Sequence, residues 1–520
     1  MSDELLLAID AGTGSCRAVI FTPDGTQLAI CQREYAHPQL PGVPGSQAFD
    51  TDTNWSLICE CVRDALELSG RPSDAVKAVS ATSMREGMVL YDARGREIWA
   101  CPNADSRASE EADELVRSGA AQQIYDRAGD WVAITAPARF LWIARHQPEI
   151  FAAIAHVGML GDWILTKLSG AFVTDASLGS SSGMFDLADR DWSDHVLELC
   201  GLERSVFPPI VESGTVVGTV AAEAAAATGL SEGTPVVAGG ADTQLGLLGI
   251  GVTQPRRVTI VGGSFWQATV VLDEPLIDPE ARLRTLCHTV PQRWMMEGIG
   301  FYCGIVMRWF RDAFCELEAL EAQATGEDLY AIMERKARDL PPGANGVFGI
   351  FSNVMRASRW VHASPGFVGF DVGNPGRAGR VECFRAIEES AAYVTRGHLE
   401  IVHEVAGIDV SEAVLIGGAA KGGLWPQIVA DVLAIPIQIP KVKESTALGA
   451  AIYAGVGAGM YSDAGEAASR LVRFERACEP DPGASASYRE LYDQWLELYA
   501  RSLEISEAGL ARPLWRAAGT

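Results

Sequence analysis

One pattern, met twice, limits what this chain folds into. Leu5-Leu-Leu-Ala-Ile-Asp10 reads as a buried strand, Ala11-Gly-Thr-Gly14 as a turn and Ser15-Cys-Arg-Ala-Val-Ile-Phe21 as a returning strand. Past the middle of the chain the same grammar recurs: Arg257–Val261 is a strand, Gly262-Gly-Ser264 a turn and Phe265–Leu272 a second strand. A glycine-centred hairpin opening each half predicts two copies of one fold, each presenting backbone N–H groups to an anion at its turn. The length agrees, because 520 residues exceed what one core of about 250–300 residues accommodates. The expected domains are residues 1–250 and 251–520.

Two further glycine turns follow strands. Pro235-Val-Val-Ala-Gly-Gly240 runs into Ala241-Asp242, and Ala413-Val-Leu-Ile-Gly-Gly418 runs into a segment with helical spacing at Leu424, Ile428, Val432 and Leu433. Such junctions let a ligand approach the backbone and turn amides toward anions. Apolar spacing predicts helices over Asn54–Ser69, Glu110–Arg117, Met307–Leu317, Phe384–Val405, Leu424–Leu433 and Thr446–Gly457. Their alternation with short Val/Ile/Leu runs defines an α/β protein.

Charge narrows the class of partner. With 42 Lys+Arg against 67 Asp+Glu the chain carries a net charge of −25, so no nucleic-acid partner is expected. Eleven cysteines spread singly point to reduced thiols and a cytoplasmic setting. Cys59 and Cys61 come nearest to a motif, but two residues apart on a helix they point to different faces, which argues against a metal site. The opening Met1-Ser-Asp-Glu4 leads into only a short apolar run, so no secretory signal is expected. The uncharged stretch Ser445–Ser462 is mostly Gly and Ala, which fits a tightly packed helix better than a membrane span.

Three sets of residues carry candidate chemistry. Asp10 ends a buried strand before Gly12-Thr13-Gly14, where a carboxylate is costly unless a cation meets it; Mg²⁺ bridging to a phosphate suits it, and capping the turn is the alternative. Asp242 follows two glycines at a strand end, placed to accept the proton of an attacking hydroxyl or, alternatively, to cap the next helix. Arg85-Glu86 lies between apolar runs and suits a polyhydroxylated ligand, the other reading being a surface ion pair. Lys441–Glu444 and Glu316–Glu321 read as solvated surface charge.

Asp10-Ala-Gly-Thr-Gly-Ser-Cys-Arg17, Arg85-Glu86, Gly240-Ala-Asp242, Gly417-Gly-Ala-Ala420 and Glu444-Ser-Thr-Ala-Leu-Gly-Ala-Ala451 together resemble the FGGY carbohydrate kinases, the group of glycerol kinase and xylulokinase. Gly161–Gly170, Val173-Thr-Asp175 and Met184-Phe-Asp186 are similar to the same family's mid-domain pattern, and the likeness runs in family order from about Leu5 to about Tyr461. The resemblance implies two actin-like ATPase (ribonuclease H-like) domains flanking a cleft for ATP, Mg²⁺ and a small polyol or sugar. It implies Asp242 as the catalytic base and a substrate contact, and Asp10 as the residue near the metal. Gly12, Thr13, Gly14 and Arg17 resemble the first phosphate loop, Arg85 and Glu86 the binders of substrate hydroxyls, Gly262, Gly263 and Ser264 the second phosphate loop, and Gly417, Gly418 and Lys421 the adenosine contacts.

A narrower likeness within the family rests on Ser83–Gly87, Trp99–Cys101 with Asn103, Asp105 and Arg107, Gly262–Gln267, Met307–Cys315 and Pro513–Trp515. It implies transfer to the C5 primary hydroxyl of linear 4,5-dihydroxy-2,3-pentanedione in a bacterial cytoplasm, without a membrane partner, and a phosphocarrier of the sugar phosphotransferase system as a further partner. Oligomeric state and regulation are not legible. The sequence departs from the family pattern in three places: Gly262 precedes Gly263 where many members have Thr, Arg139 replaces a Lys, and Met84 replaces an amide, which predicts a less polar pocket. The competing readings are a kinase of a pentulose or tetritol, a non-catalytic sugar sensor, and an actin-like ATPase module.

Overall fold

The computed structural model describes residues 4–301, 303–354 and 361–516; Met1 to Asp3, on which the leader reading partly rests, lie outside them. Two mixed sheets organise the chain. The first holds β1 (Leu5–Ala11), β2 (Ser15–Phe21), β3 (Gln27–Glu34), β4 (Val76–Ser83), β5 (Val216–Thr219) and β6 (Pro235–Ala241), in the order β5-β6-β4-β1-β2-β3. The second holds β7 (Arg257–Gly262), β8 (Trp266–Leu272), β9 (Arg284–Cys287), β10 (Trp294–Phe301), β11 (Glu412–Gly417), β12 (Ile437–Pro440) and β13 (Phe474–Cys478), in the order β9-β10-β8-β7-β11-β12-β13. The run β3-β2-β1-β4-β6 and the run β10-β8-β7-β11-β12 have the same order and the same pattern of antiparallel and parallel pairs. The repeat legible in two hairpins therefore extends over five strands of each half, and the architecture is the actin-like α/β one.

The helices used below are α1 (Thr51–Ser69), α2 (Ala136–His146), α3 (Asp242–Gly249), α4 (Cys303–Phe314), α5 (Arg380–Ala406), α6 (Leu424–Leu433), α7 (Ser445–Gly457) and α8 (Pro482–Glu507). All seven residues of β1 are buried, as expected of a strand covered on both faces. One cover is α1, which starts a turn before the predicted Asn54 because the Asp50 side chain accepts from Thr53 N at 2.7 Å. On the other side α7, from the C-terminal half of the sequence, sets Ala447, Ala450, Ala451 and Ala454 in a cluster with Leu6, Ala8, Ala78 and Val237.

The Gly/Ala composition of α7 follows from this seat. A Cβ on Gly449 would stand 2.0 Å from the Leu245 carbonyl oxygen, and one on Gly249 would stand 1.9 Å from that of Ser445, so α3 and α7 cross with backbones in contact. Among the described residues no helix is long and apolar enough to span a membrane. Gly449→Ala is expected to destabilise the fold by about 1–3 kcal/mol, as overpacking does, and chemical unfolding would measure it.

Two expectations need correction. The predicted helix Met307–Leu317 is two helices, because Cys315 (φ −104°, ψ 38°) breaks it and Glu316–Thr325 starts afresh. That turn buries Glu318, read as solvated: it is fully enclosed and accepts from Arg380 Nη2 and Lys336 Nζ, both at 2.9 Å. All eleven cysteines are buried and unpaired, and the Cys61 thiol lies 3.8 Å from that of Cys16.

Candidate active site

Asp10 and Arg17 are opposed residues of the β1–β2 hairpin, so both side chains project to one face, Arg17 Nη1 3.5 Å from Asp10 Oδ2. Burial pushes the Asp10 carboxyl up to about 7; Arg17 pulls it down, while Asp242 and Glu444 push it further up. Arg17 also donates to Glu444 Oε2 at 3.2 Å and to Gln32 Oε1 at 3.1 Å. Glu444, read as surface charge, is thus part of this site: it precedes α7, and seating α7 on the first sheet brings it to Arg17. The turn itself is exposed at Thr13 and Gly14, and Asn103 Nδ2 donates to Thr13 Oγ1 at 3.1 Å.

The second turn is built alike. Gly262 is the register partner of Gly417 at the ends of parallel β7 and β11, and Gly417 has φ 88°, with its Cβ position 2.7 Å from the Gly262 oxygen. The glycines predicted for phosphate and for adenosine are therefore neighbours, and only glycine fits the approach. Ser264 is exposed and its hydroxyl accepts from Arg308 Nη2 at 3.3 Å, which attaches a cation on α4 to this turn. Lys421 is exposed beyond the Gly418–Ala420 turn, its backbone N donating to Gly418 O at 3.2 Å.

Between the two turns lies a cavity of about 390 Å³ that the first half lines with Thr13, Arg85, Glu86, Asn103 and Asp242. Asp242 opens α3 after β6, and its Oδ1 accepts from Thr243 N at 2.6 Å and stands 3.9 Å from Arg85 Nε. Its side chain is one-third exposed. Partial burial raises its carboxyl above the usual carboxylate range, Arg85 opposes that shift, and Glu86 adds to it.

Arg85 and Glu86 are 6% and 5% exposed, which rules out the surface-pair reading. Arg85 makes a two-pronged bond to Glu297, Nη1 to Oε2 and Nη2 to Oε1, each 3.1 Å. Glu86 Oε1 accepts from Arg284 Nη2 at 2.6 Å, and the same nitrogen lies 2.7 Å from Asp130 Oδ2. Burial pushes Asp130 up to about 6, against the pull of Arg284 and with the push of Glu86. Glu86 itself has φ 59°, a strained conformation for a non-glycine residue.

Arg139 on α2 explains that strain and its own departure from the family pattern. It is 1% exposed and donates to the Glu86 carbonyl and, through Nη2, to the carbonyls of Asn103 at 3.0 Å and Asp105 at 3.1 Å. A planar fork gathers several carbonyls where an ammonium acts as a single point. Met84, expected to make the pocket less polar, is instead enclosed in the first core and does not line the cavity.

Sequence reasoning missed Glu297, Arg284 and Asp130, and named Asn103 only as part of the narrower likeness, with no place in the site. For the first two a signal was present, because Met295-Met-Glu-Gly-Ile299 and Leu283-Arg-Thr-Leu286 are charges inside apolar strands, the same anomaly that singled out Arg85-Glu86.

A carboxylate with raised basicity, beside a fixed guanidinium and between two glycine turns suited to phosphates, defines a phosphotransferase cleft acting on an alcohol. Residues 5–249 match the N-terminal domain, and residues 258–458 the C-terminal domain, of the FGGY family of carbohydrate kinases. The chain belongs to that family and is an ATP-dependent carbohydrate kinase. It is 45% identical to the autoinducer-2 kinase of Yersinia enterocolitica over 100% of this chain and 98% of that protein, and 44% identical to that of Yersinia pseudotuberculosis over the same shares. Among solved structures, xylulose kinase from Rhodospirillum rubrum superposes with a TM-score of 0.83 at 27% identity, covering 96% of this chain and 99% of that one. Plasmodium falciparum glycerol kinase with ADP shares the fold at a TM-score of 0.82 and 17% identity, over 95% and 98% of the two chains.

Proposed function

We propose that the chain is an autoinducer-2 kinase, which phosphorylates the C5 primary hydroxyl of linear 4,5-dihydroxy-2,3-pentanedione with ATP. The observation that carries the chemistry is Asp242, 3.9 Å from Arg85 in the lining of a cavity of about 390 Å³, a volume suited to a five-carbon substrate with a terminal phosphoryl group. The full-length likeness to the Yersinia autoinducer-2 kinases supports the substrate.

Asp242 takes the proton from the C5 hydroxyl, a task to which the raised basicity of its carboxylate suits it better than an ordinary aspartate. Arg85 donates to the substrate oxygens beside C5 while Glu86 accepts from them, both held by their partners across the cleft. The turns at Gly12–Gly14 and Gly262–Ser264 hold the phosphates with Arg17, and Gly417, Gly418 and Lys421 flank the adenosine.

The residues also fit a divalent cation. Asp10 is enclosed, resists ionisation, and shares its surroundings with Glu444 and Asp242, an excess of negative charge that Arg17 alone does not balance. No set of three His, Cys, Asp or Glu side chains among the described residues forms a cage, which agrees with Mg²⁺ held by one or two carboxylates and the nucleotide. When bound, Mg²⁺ neutralises charge on the transferring phosphoryl group. In the cytoplasm the product's charge traps the signal inside the cell, a role in quorum signalling in which a phosphocarrier partner is a natural regulator.

ATP consumption with the dihydroxypentanedione, measured against xylulose, ribulose, glycerol and erythritol, tests the substrate. A kcat/KM at least tenfold higher for the dione is expected, and preference for a pentulose or tetritol would replace this assignment with the competing one.

A further inference from the structure

Four opposed residues cross the second sheet in a single line. Thr259 on β7 is paired with Thr269 on β8, Thr269 with Glu297 on β10, and Glu297 with Arg284 on β9. Directly opposed residues of antiparallel strands share a face, so all four side chains lie on one side of the sheet. That side is turned to the first half, because Glu297 and Arg284 reach Arg85 and Glu86.

The row is charged and ion-paired at one end and neutral at the other. Glu297 and Arg284 are engaged in ion pairs with Arg85 and Glu86. Thr259 and Thr269, 1% and 0% exposed, both line the cavity, and neither hydroxyl has a hydrogen-bond partner. From the opposite side, Asn103 leaves its buried Oδ1 without a partner while its amide nitrogen is anchored on Thr13. Enclosed polar atoms are nearly always bonded, and three orphans around one cavity are a ligand's complement.

We propose that Thr259 and Thr269, with Asn103 facing them, form a second wall of the substrate site that binds the oxygens remote from the phosphorylated hydroxyl. The wall suits a neutral ligand, since this end of the row holds no charge and a threonine hydroxyl both donates to a carbonyl and accepts from a hydroxyl. Vicinal carbonyls, which only accept, are what two donating hydroxyls serve best. The inference rests on the polyol-kinase reading above and adds to it that the second half, through one row of its sheet, selects the substrate.

Replacing each hydroxyl by a methyl of equal size tests this. The KM for the dihydroxypentanedione is expected to rise about fivefold in Thr259→Val and in Thr269→Val and more than about tenfold in the double variant, one neutral hydrogen bond lost per site. The KM for ATP should stay within about twofold, and Thr269→Ser, which keeps the hydroxyl, should restore the wild-type value. A polyol KM unchanged in both single variants would overturn the wall, as would a rise confined to the KM for ATP, which would assign the hydroxyls to the nucleotide. Should the wild-type chain prefer another polyol of the panel, the named substrate falls, and the same comparison on the preferred polyol still decides the wall. Valine suits strands, so thermal melting of the single variants serves as the control for folding.

Discussion

Asp242→Asn is expected to lower kcat by about 10²- to 10⁴-fold, the contribution typical of a positioned general base, while the KM for ATP changes little. A variant keeping more than a few per cent of the rate would remove Asp242 from that role. The pH profile supplies a second reading. A base must be deprotonated, so activity falls as pH drops through the Asp242 pKa; because that pKa is raised, the acid limb should lie above the range of an ordinary aspartate and should vanish in the variant. Stability should respond in the opposite sense. A carboxyl that holds its proton more tightly folded than unfolded costs stability once pH exceeds its unfolded pKa, so the neutral amide should melt at or above the wild type at neutral pH.

Glu297→Ala is expected to destabilise the protein by about 3–5 kcal/mol, the cost of leaving a buried charge without its partner, here Arg85 with Arg284 3.8 Å away. Urea unfolding would read this directly, and a loss under about 1 kcal/mol would show that the pairs are solvated. The milder Glu297→Gln keeps size and one acceptor; it should fold, and should raise the KM for the polyol more than that for ATP, because Arg85 is released on the substrate side. Equal effects on both would mean that Glu297 supports the fold without positioning Arg85.

Most of the fold was legible because local chemistry and topology agree here. The hairpin turns, the β6-to-α3 junction at Asp242 and the helix Leu424–Leu433 stand where glycine, apolar runs and spacing put them. Arg85-Glu86 and Asp10 were found through the cost of burying charge and the glycine turns through strand–turn grammar, and the family pattern then suggested their roles and that of Arg17. What escaped depends on pairing between distant segments. Glu444 lies far from Arg17 along the chain and met it only because α7 packs on the first sheet. Glu297 and Arg284 acquire meaning from register across β9 and β10, which periodicity does not specify. Glu318 turned inward because one residue, Cys315, left the helical conformation.

The seat of α7 also bears on how the cleft moves. The chain leaves the first sheet after α3, returns to it from β12 into α7, and leaves again toward β13, so three strands of backbone join the halves. The three run side by side: Val472 lies against Gly251, and Lys441 N donates to Arg473 O at 2.9 Å. Three crossings gathered at one place tie the halves together there more tightly than a single linker would. Arg17 and Glu444 both sit on the first half, because α7 packs there, so their bond does not tie the halves together; Arg85 and Glu297 come from different halves, and any opening of the cleft between them has to break that pair.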